Sequence, residues 1–281
     1  MTIPLVVGVD GAEAGLEAVD WAVAEAARHT VPLHLVHAAA PEQEASDVIN
    51  AASERAGKDA PAVRLSSEVL HEDAASALVG EGHNAFALVL DSRGLGDLAE
   101  LLLGAVSLAV AARAGCPVVV VRGSAEHREG RFGSVVVGVE DGEGSDTAVG
   151  FAVREAHAQR CGLVEVHAWS APIGTPPGTS ARCVVRPRAG AWYALEAHRR
   201  PPAQVLGDAL RGPAEQYRGT SVSRRVVEGP ARHALLAAAP GADLLVVGAG
   251  KRHGHSGLQP GLINHAVLHH APCPVVVVPQ I

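Results

Sequence analysis

The chain has 281 residues, 48% of them hydrophobic and 19% charged, the balance of a core-forming globular protein and not of a disordered one. Aromatic side chains make up only 3% and the formal net charge is −7. Together these exclude a single-strand nucleic-acid platform, whose bases stack on aromatic faces and whose phosphates call for surplus Lys and Arg.

Taken in chain order, MTIPLVVGVDGAEAG has no basic leader region and its apolar run stops at Asp10, so it reads as a first strand and not a signal peptide. Short Val and Leu runs predict strands at 4–9, 33–38, 62–70, 86–91 and 117–121, and Ala-rich stretches of helical period predict helices at 13–28, 43–57, 73–81 and 99–114. The strands are almost continuously apolar, as expected of a parallel sheet covered by helices on both faces. The longest apolar stretch, Leu101 to Ala112, is interrupted by Ser107 and ends at Arg113, short of the roughly 18 residues of a membrane span. The four cysteines at 116, 161, 183 and 273 have no metal-ligand spacing and read as free thiols in a reducing compartment. A cytoplasmic location, with neither membrane nor nucleic acid as partner, is the expectation.

Beyond a linker at 124–133 the chain repeats itself. PLVVGVDG at 4–11 returns as SVVVGVED at 134–141, Trp21-Ala-Val as Phe151-Ala-Val, and LHLVHA at 33–38 as LVEVHA at 163–168, all at an offset of 130 residues. AGCPVVVV at 114–121 returns as APCPVVVV at 271–278 and FALVLD at 86–91 as DLLVVG at 243–248, at an offset of 157. The difference of 27 residues is one insertion in the second copy, within the Pro-, Gly- and Arg-rich segment 170–202, which holds five Arg against one Glu together with Trp192 and Tyr193. A solvated loop, a lid and a partner-docking arm are all compatible with it. The expected fold is α/β: two tandem doubly wound domains, 1–123 and 134–281, each a five-stranded parallel sheet flanked by helices with its ligand crevice at the carboxyl ends of the strands.

The residues at those ends carry the chemistry. The first strand runs into Gly8-Val9-Asp10-Gly11, which matches neither a dinucleotide nor a Walker A loop. Asp10 suits either a helix cap or an acceptor for a ribose hydroxyl or adenine amino group. The fourth strand is followed by Asp91-Ser-Arg-Gly94-Leu-Gly96 and then Gly104-Ala105-Val106-Ser107, small residues that let backbone N–H groups approach phosphates. His37 and His167 match at the ends of the second strands as packing or cleft-wall residues. His265 and His269 share a helix face, but no acid or Cys stands at ligand spacing near them, so no metal site is assigned.

The order GVDG, VHA, SRGLG, LLLGAVS and CPVVVV resembles the universal stress protein family in tandem two-domain form, over nearly the whole chain. The resemblance implies the strand order 3-2-1-4-5 and a pseudo-dimer paired through the final strands, Val118–Val121 and Val275–Val278. It also implies ATP or another adenine nucleotide, held by the strand-one acid, by backbone at the end of strand two and by a G-x2-G-x9-G-(S/T) loop. In the first copy these positions are Asp10, Ala38, Gly94, Gly96 and Gly104, with Ser107 nearby; in the second they are Glu140, Ala168, Gly248, Lys251 and Gly261. Neither loop is intact, since Asp91 and Ala105 replace the first Gly and the hydroxyl residue in one copy, and Lys251 and Leu262 replace the middle Gly and the hydroxyl in the other. Losing one hydroxyl hydrogen bond to a charged phosphate costs about 1.5–3 kcal/mol, which weakens a site without abolishing it. The expected role is regulatory binding in a stress response, with an unidentified protein partner and a homo-oligomer both compatible. The rivals are a scaffold that binds no nucleotide and a nucleotide-dependent hydrolase, which has no evident nucleophile and base.

Overall fold

The computed structural model describes residues 2–40, 46–59, 62–92, 103–140, 145–169, 202–209, 217, 219–249 and 261–280. The first repeat runs β1 (Leu5–Gly8), α1 (Glu13–His29), β2 (Leu33–Ala38), α2 (Ser46–Asp59), β3 (Leu65–Leu70), α3 (Ala74–Glu81), β4 (Ala87–Asp91), α4 (Ala105–Arg113) and β5 (Val118–Val121). A short helix α5 (Ala125–Arg128) leads into the second: β6 (Ser134–Gly138), α6 (Ser145–Ala158), β7 (Gly162–Trp169), α7 (Pro202–Ala209), β8 (Val222–Glu228), α8 (Ala231–Ala238), β9 (Leu244–Gly248), α9 (Leu262–His270) and β10 (Val275–Val278).

All ten strands form one sheet in the order β3-β2-β1-β4-β5-β10-β9-β6-β7-β8, so each half has the order 3-2-1-4-5. Pairing is parallel within each half, and the halves join through an antiparallel contact of β5 with β10, Val120 opposite Val275 and Val118 opposite Val277. Each covers the edge that the other would leave open. The remaining edges, β3 and β8, are exposed and carry Ser66, Ser67, Glu68 and Ser223, Arg224, Arg225.

Period-two alternation sends successive valines to opposite faces. Leu5, Val7, Leu33, Leu35, Val119 and Val121 pack on one face against α1, with Val135, Val137, Val276 and Val278 in the same continuous cluster. Val6, Val36, Leu88, Val118 and Val120 pack on the other with Leu78 and Val110, and with Val136, Val275 and Val277. Because both faces are covered by Ala-rich helices, aliphatic side chains fill the core and few aromatics are needed. Helix α1 shows the local logic. Ala18, Val19, Ala22, Val23 and Ala26 make its buried stripe, Glu13 and Arg28–His29 complement its dipole, and Thr30 ends it in the left-handed region at φ 55°.

The connection between the halves is pinned by close approach. Gly123 has φ +85°, and a Cβ there would lie 1.8 Å from the carbonyl oxygen of Pro272. Asp243 accepts from the backbone N–H groups of Phe132 (2.8 Å) and Ser134 (3.0 Å), and Arg128 donates to Glu17 at 2.9 Å. Three element starts lie three or more residues from expectation. β3 begins at Leu65 and not at 62, because the chain turns at 62–63. α2 covers 46–59, with 43–45 outside the described residues. α4 begins at Ala105, since Gly104 at φ −58°, ψ 140° is not helical; of the helix expected from 99, residues 99–102 lie outside the described residues.

Candidate functional site

Strand order reverses between β1 and β4, where the crossovers leave to opposite faces and a crevice opens at the carboxyl ends. The register pairs Gly8 with Val36 and Val7 with Val89; continued past the strand ends, it sets Asp10 beside Ala38 and Val9 beside Asp91. After Asp10 the chain turns through Gly11 at φ +85°, packed on Val48, and enters α1. Ala12 precedes α1 and offers no capping side chain, so Asp10 does part of that work: its Oδ1 accepts from the Ala12 N–H at 2.9 Å. Cap and ligand acceptor are therefore compatible roles, because a carboxylate has two oxygens and about four lone-pair sites.

His37 is buried, and its Nδ1 lies 2.6 Å from the Val9 carbonyl oxygen. A carbonyl only accepts, so Nδ1 carries the proton and the imidazole ties β2 to the end of β1. His167 makes the same bond to Val139 at 2.9 Å in the second repeat. Both act as cleft-wall residues that fix the backbone beside the two strand-one acids.

At the far wall, Gly104 donates to the Ser92 carbonyl at 3.1 Å and so closes the base of the loop that follows β4. Helix α4 then starts with no side-chain cap. Ser107, expected near the phosphate loop, is buried and its Oγ donates to the Asp91 carbonyl at 2.7 Å. Its hydroxyl proton is committed to holding α4 against the end of β4. Asn264, which the sequence reading did not single out, does the same in the second repeat: its Nδ2 donates to the Gly248 carbonyl at 3.1 Å. The two positions differ by 157, the repeat offset, so the equivalence was available in the sequence.

In the second repeat Glu140 is exposed beyond β6, Ala168 lies within β7, Gly248 ends β9, and Gly261 precedes α9, again with no side-chain cap. Gly94, Gly96 and Lys251 lie outside the described residues, as does the insertion 170–202 apart from Pro202. His265 and His269 do share a face, with ring centroids 4.2 Å apart. Burial, with His265, His270 and Arg122 nearby, pushes the His269 imidazole down. The carbonyls of Leu268 and His269 at the end of α9 accept from the guanidinium of Arg122, a contact between the repeats.

The chain matches the model of the family described as the universal stress protein family over residues 1–122 and 131–279. A universal stress protein of Mycobacterium tuberculosis (strain H37Rv) is 31% identical over 301 residues, which cover 98% of this chain and 97% of that protein. A second one from the same strain is 29% identical, covering 98% and 96%. Among solved structures, a universal stress protein from Archaeoglobus fulgidus superimposes with a TM-score of 0.65 at 17% identity, covering 99% of this chain and 98% of that one. A functionally unknown protein from Pseudomonas aeruginosa PAO1 gives 0.67 at 16%, covering 99% and 93%. These two likenesses speak for the fold alone.

Proposed function

Because the chain belongs to the universal stress protein family in its tandem two-domain form, we propose that it is a regulatory binding protein that holds an adenine nucleotide weakly in the crevice of its first repeat. The domains on this reading are 1–123 and 134–281. The observation that carries it is the start of α4, where small residues and no side-chain cap leave first-turn N–H groups at the same end of the sheet as the Asp10 carboxylate. A helix start of this kind favours phosphate, and an acid at the end of the adjacent strand suits a ribose or adenine donor. Ala38 and the backbone after β2 flank the acid on its other side, and Gly94 and Gly96 complete the loop on the family pattern.

Asp91 and Ala105 in place of a glycine and a hydroxyl residue make the affinity modest. The second repeat is the poorer site, with the longer Glu140 on strand one and Leu262 at the position of the hydroxyl, although Lys251 brings charge. The reading is one of binding, and the Nδ1–H that His37 and His167 each give to a backbone carbonyl fits a cleft-wall role. Among the described residues no helix is long and apolar enough to cross a membrane.

Calorimetric titration of the full chain with ATP, AMP and cyclic AMP tests the reading. One nucleotide per chain, weakened in Asp10→Asn, is the expected result. No heat with any of the three at high protein concentration would replace it with a nucleotide-independent scaffold. Steady phosphate release lost in Asp10→Asn would replace it with a hydrolase.

A further inference from the structure

We propose that Glu25, His29 and Glu155, at the junction of the two repeats and away from both crevices, form a site for a divalent transition-metal ion of the Zn2+ class. One repeat supplies a carboxylate and an imidazole, and the other a carboxylate.

The repeat itself brings the two acids together. Glu25 and Glu155 differ by 130 residues, the offset that relates the first halves of the copies, so they are equivalent positions of α1 and α6 meeting across the pseudo-two-fold axis. A residue beside such an axis meets its own counterpart. Two carboxylates placed so, and buried at 3% and 1% exposure, are relieved by a cation or by a proton shared between them. His29 has no such twin, because its counterpart is Gln159.

His29 Nε2 lies 3.0 Å from Glu25 Oε1 and 3.1 Å from Glu155 Oε2, and the three ligand atoms all lie within 4.8 Å of one another. With metal–ligand bonds of about 2.0–2.2 Å, neighbouring ligand atoms stand roughly 2.9 Å apart at right angles and 3.3 Å apart at a tetrahedral angle. The two observed separations fall between those values, so an ion can enter with shifts of a few tenths of an ångström. Protons are the competing occupant: Nε2 has one hydrogen to give while two carboxylate oxygens face it, and a buried carboxyl of the pair can carry a second.

A second observation points to a missing partner. Among the described residues Glu155 Oε1 is shielded from solvent and accepts no hydrogen bond, and Arg154 Nε, equally without a hydrogen-bond partner, meets it only as an ion pair at 3.8 Å. The surroundings otherwise resemble an outer shell that orients ligands. Arg28 holds Glu25 by its other oxygen, Oε2, at 2.6 Å, and the Arg154 guanidinium lies over the rings of Phe86 and Phe151 at 4.7 and 4.9 Å. These two cations are balanced by more than the carboxylates. The site sits in the last turns of both α1 and α6, and each helix end carries about half a negative charge. The His29 side chain, 9% exposed, is the rim through which an ion would enter.

The full chain, stripped with chelator and free of nucleotide, is titrated with Zn2+ in competition with a chromophoric chelator, and separately with Co2+ followed by its visible absorption. The variants are His29→Gln, Glu155→Gln and, to account for the other histidines, His269→Gln. Expected are one tightly held ion per chain, a loss of at least about tenfold in affinity in the first two variants, no change in the third, and no Co2+ spectrum in His29→Gln. No retained ion, or equal affinity in wild type and both cluster variants, would show that the cluster holds protons only and overturn the proposal. If Glu155→Gln does not fold, His29→Gln decides alone, since it installs the residue that the second repeat already carries there. Nucleotide titration reads a different site, so failure of either reading leaves the other standing.

Discussion

Glu165 stands on β7 where the first repeat has Leu35, a residue with no exposed surface, and it is itself fully buried. Its Oε1 has no hydrogen-bond partner among the described residues, and its Oε2 lies 3.3 Å from Arg224 Nε, whose side chain is half exposed. Burial pushes the Glu165 carboxyl up to about 7, against the pull of Arg224. Replacing it with the leucine of the other repeat removes an unsatisfied acceptor that costs about 1–3 kcal/mol. The gain depends on pH. A carboxyl raised from 4.5 to about 7 on folding contributes stability that is fully present below 4.5 and lost as the pH rises through 7. That shift corresponds to roughly 3 kcal/mol at most, and solvent around Arg224 reduces it to about 2 kcal/mol. Urea unfolding of wild type and Glu165→Leu at pH 5 and pH 8.5 gives the comparison. The leucine variant should be more stable at pH 8.5 by about 2–4 kcal/mol, with a gain at least about 1 kcal/mol smaller at pH 5. An equal gain at the two pH values, or a loss at both, would refute the reasoning.

Three further outcomes follow from the same geometry. Gly123→Ala places a Cβ on the Pro272 carbonyl at a positive φ, so it should lower stability by more than about 2 kcal/mol, seen as a fall in melting temperature; an unchanged midpoint would mean that the junction yields freely. Ser107→Ala should cost about 1 kcal/mol in unfolding yet leave nucleotide affinity within about threefold, because the hydroxyl serves the Asp91 carbonyl; a much larger affinity loss would place it on the ligand. Burial pushes the thiols of Cys116 up to about 11 and Cys273 up to about 12, so iodoacetamide at pH 8 should leave both unmodified in the folded chain, and mass spectrometry showing rapid native labelling would contradict their inertness.

Much of the architecture was legible because it is written twice. Two offsets, 130 and 157, located equivalent strands, and the valine runs marked strands buried on both faces. The antiparallel β5–β10 junction was reachable only through the family resemblance, since no local pattern says which edges meet. Side-chain roles were less legible. Ser107 looked like a phosphate ligand because hydroxyls near glycines suit that task, and only the approach of α4 to the end of β4 shows its proton spent on a carbonyl. Asn264 escaped notice because a serine and an asparagine do not align by eye, although they reach equivalent carbonyls, Asp91 and Gly248. Nothing in the sequence singles out Glu25 and Glu155. Pairing of the two repeats turned them inward, a tertiary effect that helical period alone does not carry.

Photolabelling of the full chain with 8-azido-ATP, followed by peptide mapping, tests the central claim most directly. Label competed by unlabelled ATP and concentrated on the segments around Asp10, Ala38 and Gly104, with little around Glu140 and Ala168, is the expected result. No competable label, or label confined to the second repeat, would contradict it.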